Sequence, residues 1–335
     1  MPTLGANVLT LADHAKRLDP SGKVAAIVEM LSQNNEILQD IPFMEGNLVT
    51  GHQSTIRTGL PSVYWRLINQ AVTPSKSTTA QVTDGCGLLE AWSEVDVELA
   101  KLANDVGAFR LSESSAFVEA MGQEMAQTLV YGNSGTAPEE FNGLAVRYSS
   151  LSATNASHIL NAGGVGSDNS SIYLVCWGAD RLFGTFPKGS QAGLEHKDLG
   201  EQTVTGGTGI AGSRLRAFQD QFIWKGGLVV KDWRYCVRIA NIDISNLIAK
   251  SSAADLIELM IKAYHRIPAG GVSGGNCAFY MNRTVKQMLD IQMRDDVQVG
   301  GQLGYANVDG KPVMNFRGIP VKLLDQLLET EAAVS

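Results

Sequence analysis

The sequence predicts an α+β fold, on three observations. Apolar residues recur at helical spacing in several separate stretches. Two other stretches, residues 47–97 and 172–244, lose that period and are rich in Thr, Val, Ile, Tyr and Trp, which suit a pleated surface. Helices and strands therefore come in separate runs.

The first 44 residues are predicted mainly helical. Thr10–Leu18 fits a short helix, stopped by Asp19-Pro20-Ser21-Gly22. Lys23 to about Asp40 fits a second, with an apolar stripe of Val24, Ile27, Val28, Leu31 and Leu38 that Asn34 and Asn35 interrupt. Such a helix covers part of its own core or lies against another chain.

Residues 47–97 read as a long two-stranded excursion. Ser62–Ile68 alternates, with Val63, Trp65 and Leu67 on one side and Tyr64, Arg66 and Ile68 on the other, which predicts a strand. Thr73–Thr79 reads as a polar tip, and strand-like residues return through Val82 and Ala91 to Val97. An isolated ribbon is marginal in water, so one this long is expected to lie on a neighbouring molecule.

A long helix is predicted over Ser112–Tyr131, with Ser112 as N-cap. Its face is Phe117, Met121, Met125 and Leu129, and Gly132-Asn133 stops it. Residues 135–166 read as loop. Ser171–Trp177 reads as a buried strand, and Phe222–Val230 and Trp233–Ile239 as two more, split by Lys231-Asp232. Helices are expected at Ala254–Arg266 and Thr284–Met293, a strand at Ala278–Met281, and a hairpin at Val313–Leu323.

Length and composition bound the function. The 335 residues suffice for two packed domains, or one with long extensions. The apolar share of 44% with 18% charge argues against wholesale disorder. The net charge is −7 and no run of Lys or Arg occurs, which argues against a dedicated nucleic-acid binder. Cys86, Cys176, Cys236 and Cys277 are far apart and suggest no zinc site; they are expected to be reduced, mostly buried thiols. No stretch of eighteen apolar residues occurs, so no membrane span is expected, and the start lacks the form of a signal peptide.

Motifs for chemistry fail on context. Gly207-Thr208-Gly209-Ile210-Ala211-Gly212 matches the dinucleotide fingerprint, with Asp232 twenty residues on. The preceding Gly200–Thr205 is too polar for a central strand, and Arg216–Ile223 looks extended rather than helical. Gly271-Val272-Ser273-Gly274-Gly275 matches a nucleophile elbow but runs from helix to strand, and no histidine follows His265. His14, His52, His158, His196 and His265 never sit at ligand spacing and read as surface or interface residues. No catalytic, cofactor-binding or metal residue is assigned.

Several blocks resemble the major capsid proteins of tailed phages with the Hong Kong 97 fold, closest to a group that includes short-tailed phages. They are Thr10–Leu18, Thr50-Gly51-His52, Arg57–Pro61 with Tyr64-Trp65-Arg66, and Pro74–Thr78. Phe141–Leu144, Phe186–Ser190 and Asp232–Tyr235 with Arg238-Ile239 complete the set. The order and spacing carry the likeness.

The resemblance implies a self-assembling shell subunit forming pentamers and hexamers of an icosahedral head around double-stranded DNA. It implies residues 1–44 as N-terminal arm, 45–100 as an extended loop lying on an adjacent subunit, 101–250 as peripheral domain with spine helix 112–131, and 251–335 as axial domain with closing strands. In the commonest family order the axial domain directly follows the spine helix, so a rearranged order is expected here. Arg57, Tyr64, Trp65, Arg66 and Lys76 become candidate inter-subunit contacts. Lys76 could enter a Lys–Asn crosslink, although spacing assigns it no partner. The implied partners are further copies, a separate scaffolding protein, a portal protein, a decoration protein and DNA bound without sequence specificity. The implied locations are the virion and, during assembly, the host cytoplasm. The rival readings are a tail or connector protein and an α/β enzyme using the glycine-rich loop.

Overall fold

The computed structural model describes residues 33–102, 105–205, 214–268, 276–295, 303–308 and 311–335. The expected helix at Thr10–Leu18, most of the next one and both glycine-rich motifs lie outside the described residues. The chain runs through α1 (Ile37–Asp40), β1 (Phe43–Glu45), β2 (Gly51–Gly59), β3 (Thr78–Gly85), β4 (Gly87–Asp96), α2 (Val97–Lys101), α3 (Val106–Tyr131) and α4 (Leu144–Arg147). It continues through β5 (Ile159–Asn161), β6 (Asn169–Trp177), β7 (Leu182–Phe186), β8 (Leu194–Thr205), β9 (Arg214–Val230), β10 (Cys236–Asp243), α5 (Ile244–Ala249) and α6 (Leu256–Arg266). Last come β11 (Asn276–Met281), α7 (Arg283–Asp295), β12 (Leu303–Val308), β13 (Lys311–Phe316) and β14 (Ile319–Leu323).

Backbone contacts divide the chain into two units. One holds Leu88–Ala126 and Gly193–Lys225; the other holds Glu36–Gly87, Gln127–Ala192 and Gly226–Ser335.

The larger unit is built on β6, whose nine residues are all buried. Antiparallel β11 and β10 flank it, and β14 lies parallel to β11. Alternation gives β6 two tasks, one apolar and one polar. Ile172, Leu174 and Cys176 join a core with Leu256, Leu259, Met260 and Ala263 of α6 and with Val285, Met288 and Leu289 of α7. The intervening Ser171 and Tyr173 meet a buried polar group instead. Arg238 Nη2 donates to Glu331 Oε2 at 2.8 Å, Arg238 Nε donates to Ser171 Oγ at 3.1 Å, and the Tyr131 hydroxyl donates to Glu331 Oε1. This network ties the last residues of the chain to the sheet. Asp255 and Asn282 accept from the third residue beyond them, Glu258 N and Val285 N, and so cap α6 and α7.

In the smaller unit, β8 and β9 form a long antiparallel hairpin from Leu194↔Trp224 to Thr205↔Arg214. The strands described on either side of the fingerprint-like glycine run are antiparallel. Arg110 on α3 donates to Asp198 at 2.7 Å and to Asp220 at 2.9 Å, fastening the hairpin to the helix. Phe117 stacks on Phe222 at 5.9 Å between centroids.

Several expectations are corrected. The long helix starts at Val106, because Asp105 Oδ1 caps it by accepting from Ala108 N. The Ser112 hydroxyl instead turns back to the Phe109 carbonyl, as serine does inside a helix. Trp233–Tyr235 is a short 3-10 turn, and the strand begins at Cys236. Cys176 and Cys277 are not free thiols. They face each other in the β6–β11 register with Cα atoms 4.0 Å apart and form a disulfide. His158 is buried, its Nε2 3.1 Å from the Arg266 carbonyl and its ring edge-on to Trp233. Ser62–Ile68 is not a strand.

Candidate inter-subunit surface

β2 and β3 pair only with each other among the described strands, from Gly51↔Gly85 to Gly59↔Thr78. A bulge at Thr58 bends the ribbon near its outer end, where Thr58 and Thr78 hydroxyls meet at 3.0 Å. Two-stranded ribbons need external support, and this one has it at its root. Arg147 Nη2 donates to Asp84 Oδ1 at 2.8 Å and to the Leu228 carbonyl at 3.0 Å, while Val230 N donates to Asp84 Oδ2 at 3.3 Å. Asp84 is buried, so these bonds replace the water it gave up. Gly51 is required here: a Cβ would stand 2.0 Å from the Asp84 carbonyl oxygen.

His52 sits edge-on to Phe183 with centroids 5.4 Å apart, and burial together with Lys231 lowers its pKa. Burial, then Asp84, pushes the Cys86 thiol up to about 11, which leaves it a weak nucleophile.

Beyond the ribbon, residues 60–77 form no strand. Pro61 and Pro74 stand on opposite limbs and remove the N–H groups that a ladder would need. The tip is organised by a few bonds of its own. Gln70 N donates to the Leu67 carbonyl at 3.1 Å across a turn in which Asn69 has φ +70°, and the Ser75 hydroxyl donates to the Ser62 carbonyl at 2.8 Å. The expected alternation therefore has no buried side. Leu60, Val63, Tyr64, Leu67 and Ile68 are exposed, and Trp65 is 103% exposed.

All five candidate contact residues lie on this loop and all are exposed: Arg57 on β2, and Tyr64, Trp65, Arg66 and Lys76 on the tip. The structure brings Arg57 to a groove of about 890 Å3 between β2 and Lys231–Arg234. There Arg234 pairs with Asp232 at 2.6 Å and Lys231 with Asp180 at 3.5 Å, while Arg57 has no ion pair to a described residue. Asp84 and Arg147, which hold the loop root, were missed from sequence. Their pairing spans 63 residues, and the one available signal was a lone carboxylate in an otherwise acid-free strand.

Among the described residues no group of three or more His, Cys, Asp or Glu is placed to hold a metal ion, and no helix is long and apolar enough to cross a membrane. The described residues form an anchored ribbon carrying a cationic, apolar end.

A solved phage shell shares this architecture. A chain of the cryo-EM structure of bacteriophage Epsilon15 is 32% identical, with a TM-score of 0.80 over 100% of this chain and 99% of that one. A chain of the bacteriophage JBD30 capsid is 13% identical over 89% of this chain and 92% of that one, with a TM-score of 0.48. A search of curated proteins found no match. Fold and loop together define a subunit of the Hong Kong 97-like class, a shell protein of icosahedral phage heads. Residues 19–335 match the family described as major capsid protein GP7, and the chain belongs to that family. It is a structural protein of the virion that assembles into a capsid lattice. The tail, connector and enzyme readings give way to this one.

Proposed function

We propose that this subunit closes its lattice, as pentamers and hexamers, by laying the loop of each copy on the next. The observation that carries the reading is Trp65, a large aromatic side chain left wholly uncovered on a rigidly rooted ribbon. Many modest contacts acting together suffice in a closed lattice. Arg57, Tyr64, Trp65, Arg66 and Lys76 are the contact residues in this reading. Residues 1–44 serve as arm, 45–100 as extended loop, 101–250 as peripheral domain and 251–335 as axial domain with closing strands.

The subunit catalyses no reaction in this reading and needs no cofactor. It is made in the host cytoplasm, assembles with a scaffolding protein, meets a portal protein, offers an outer face to a decoration protein, and encloses double-stranded DNA without sequence-specific contacts. Electron microscopy of the purified protein tests the reading. Closed shells support it, rings or tubes point to a tail or connector role, and discrete particles that bind nucleotide return the enzyme reading.

A further inference from the structure

The outer part of the loop, residues 46–83, is set apart by charge as well as by exposure. Residues 46–83 contain Arg57, Arg66 and Lys76 and no Asp or Glu. The whole chain has 27 Lys and Arg against 34 Asp and Glu, so the remainder has 24 against 34 and carries −10 to the loop's +3. A cationic, apolar loop on an acidic molecule calls for an acidic, apolar partner surface.

One strand face of this same chain offers that chemistry. Along β4, Leu88, Glu90, Trp92 and Glu94 are all exposed while Ser93 and Val95 are buried. Four alternate residues thus share one open face, apolar and acidic by turns. Glu90 and Glu94 lack a cationic partner among the described residues. Gln221 and the Trp92 indole donate to Glu90, and Gln219 donates to Glu94 at 2.7 Å. These neutral donors hold both carboxylates on the open face and leave their charge unmatched. Leu88 and Trp92 supply apolar area, at 56% and 45% exposure.

We propose that the exposed β4 face of one copy receives the loop tip of a second copy, with Arg66 and Lys76 meeting Glu90 and Glu94 and with Trp65 covering Leu88 and Trp92. This rests on the shell reading above and names the surface that the loop seeks. A second copy is favoured over DNA as occupant because the tip is mainly apolar and carries two cations, Arg66 and Lys76, ten residues apart, whereas phosphate contact calls for a dense basic patch.

Charge exchange tests it. The variants are Arg66→Glu/Lys76→Glu, Glu90→Lys/Glu94→Lys and the combination of all four, assembled beside the unchanged protein and checked for unassembled-subunit melting. Each double variant is expected to lose at least tenfold in shell yield with its melting unchanged, and the combination to regain most of it. Glu90→Gln/Glu94→Gln keeps the amide-compatible shape and removes only charge. It should shift assembly in the same direction if the Lys variant fails to fold. Zero-length carbodiimide coupling of assembled shells should join Lys76 of one copy to Glu90 or Glu94 of another, since Lys76 is the sole lysine of the loop.

Normal shell yield from the Glu90/Glu94 variants would overturn the proposal. So would coupling of Glu90 or Glu94 to Lys16 or Lys23, which would give the β4 face to the first residues of the chain. Loss of retained DNA from intact Arg66→Glu/Lys76→Glu shells would give the loop to DNA instead. Failure of the unchanged protein to form shells would count against the shell reading itself, a distinguishable result.

Discussion

The Arg147 guanidinium lies 2.8 Å from the Asp84 carboxylate and joins the short α4 to the inner end of β3. The Asp84 side chain is 5% exposed and the Arg147 side chain 19%, so the pair is largely desolvated. Such a pair matters less for its own attraction than for the charge left stranded when one member is removed.

Asp84→Ala should therefore destabilise the unassembled subunit by about 3 kcal/mol, the low end for a broken buried pair because Arg147 keeps some water. Thermal melting of the purified subunit measures it. Limited proteolysis should show earlier cleavage near residues 50 and 86, where the ribbon leaves the body. An unchanged melting curve would mean that the ribbon root is held by its backbone bonds alone.

The Arg238–Glu331 pair is buried more deeply, with both side chains 5% exposed. Glu331→Ala leaves Arg238 bonded to Ser171 and to the Tyr148 carbonyl but without an anion. The expected loss is ~3–5 kcal/mol. Hydrogen exchange should rise in β6 and in the final residues together, since Glu331 N and O also pair with Asn169.

Trp65→Ala should leave the melting of the unassembled subunit unchanged, because its side chain is fully exposed. Any loss should fall on the assembled shell, up to ~3–5 kcal/mol per contact for full burial and less at a wet interface. Equal losses in subunit and shell would remove the bridging role from this residue.

Thiol counting checks the disulfide. In denaturant without reductant, two thiols should react, Cys86 and Cys236, and four after reduction. The bridge closes a loop of 101 residues, so Cys176→Ala/Cys277→Ala should lower stability by about 2–4 kcal/mol. Four reactive thiols without reductant would return the reduced state that composition suggested.

Acid should weaken the subunit through two histidines. Burial lowers the pKa of both His52 and His158 below the ordinary 6.5. As pH falls below 6.5 the unfolded chain takes up protons that the folded one refuses, so stability declines toward the folded values. Melting between pH 7.5 and 5 should show the decline, and His158→Gln should flatten part of it. A curve unaltered by that change would place the effect elsewhere.

Much of the architecture was legible along the chain because it is written in local periods. The continuous apolar run of Ser171–Trp177 became the central strand β6, and the spacing of Leu256, Leu259, Met260 and Ala263 became the buried face of α6. Gly132 marked a helix end that only glycine fits, since a Cβ would lie 2.4 Å from the Phe141 carbonyl oxygen. The order of the motif blocks placed the chain among phage shell proteins. Tertiary structure decided the rest, because it depends on partners far away in sequence. Val63–Ile68 alternates as a strand would, yet a strand needs a neighbour to bond, and Pro61 and Pro74 deny it one. Cys176 and Cys277 differ in nothing local from Cys86 and Cys236; only the β6–β11 register sets them face to face. Asp84 and Arg147 are ordinary charges until folding removes their water, and Glu90 and Glu94 stand on an open face only because β4 turns Ser93 and Val95 inward.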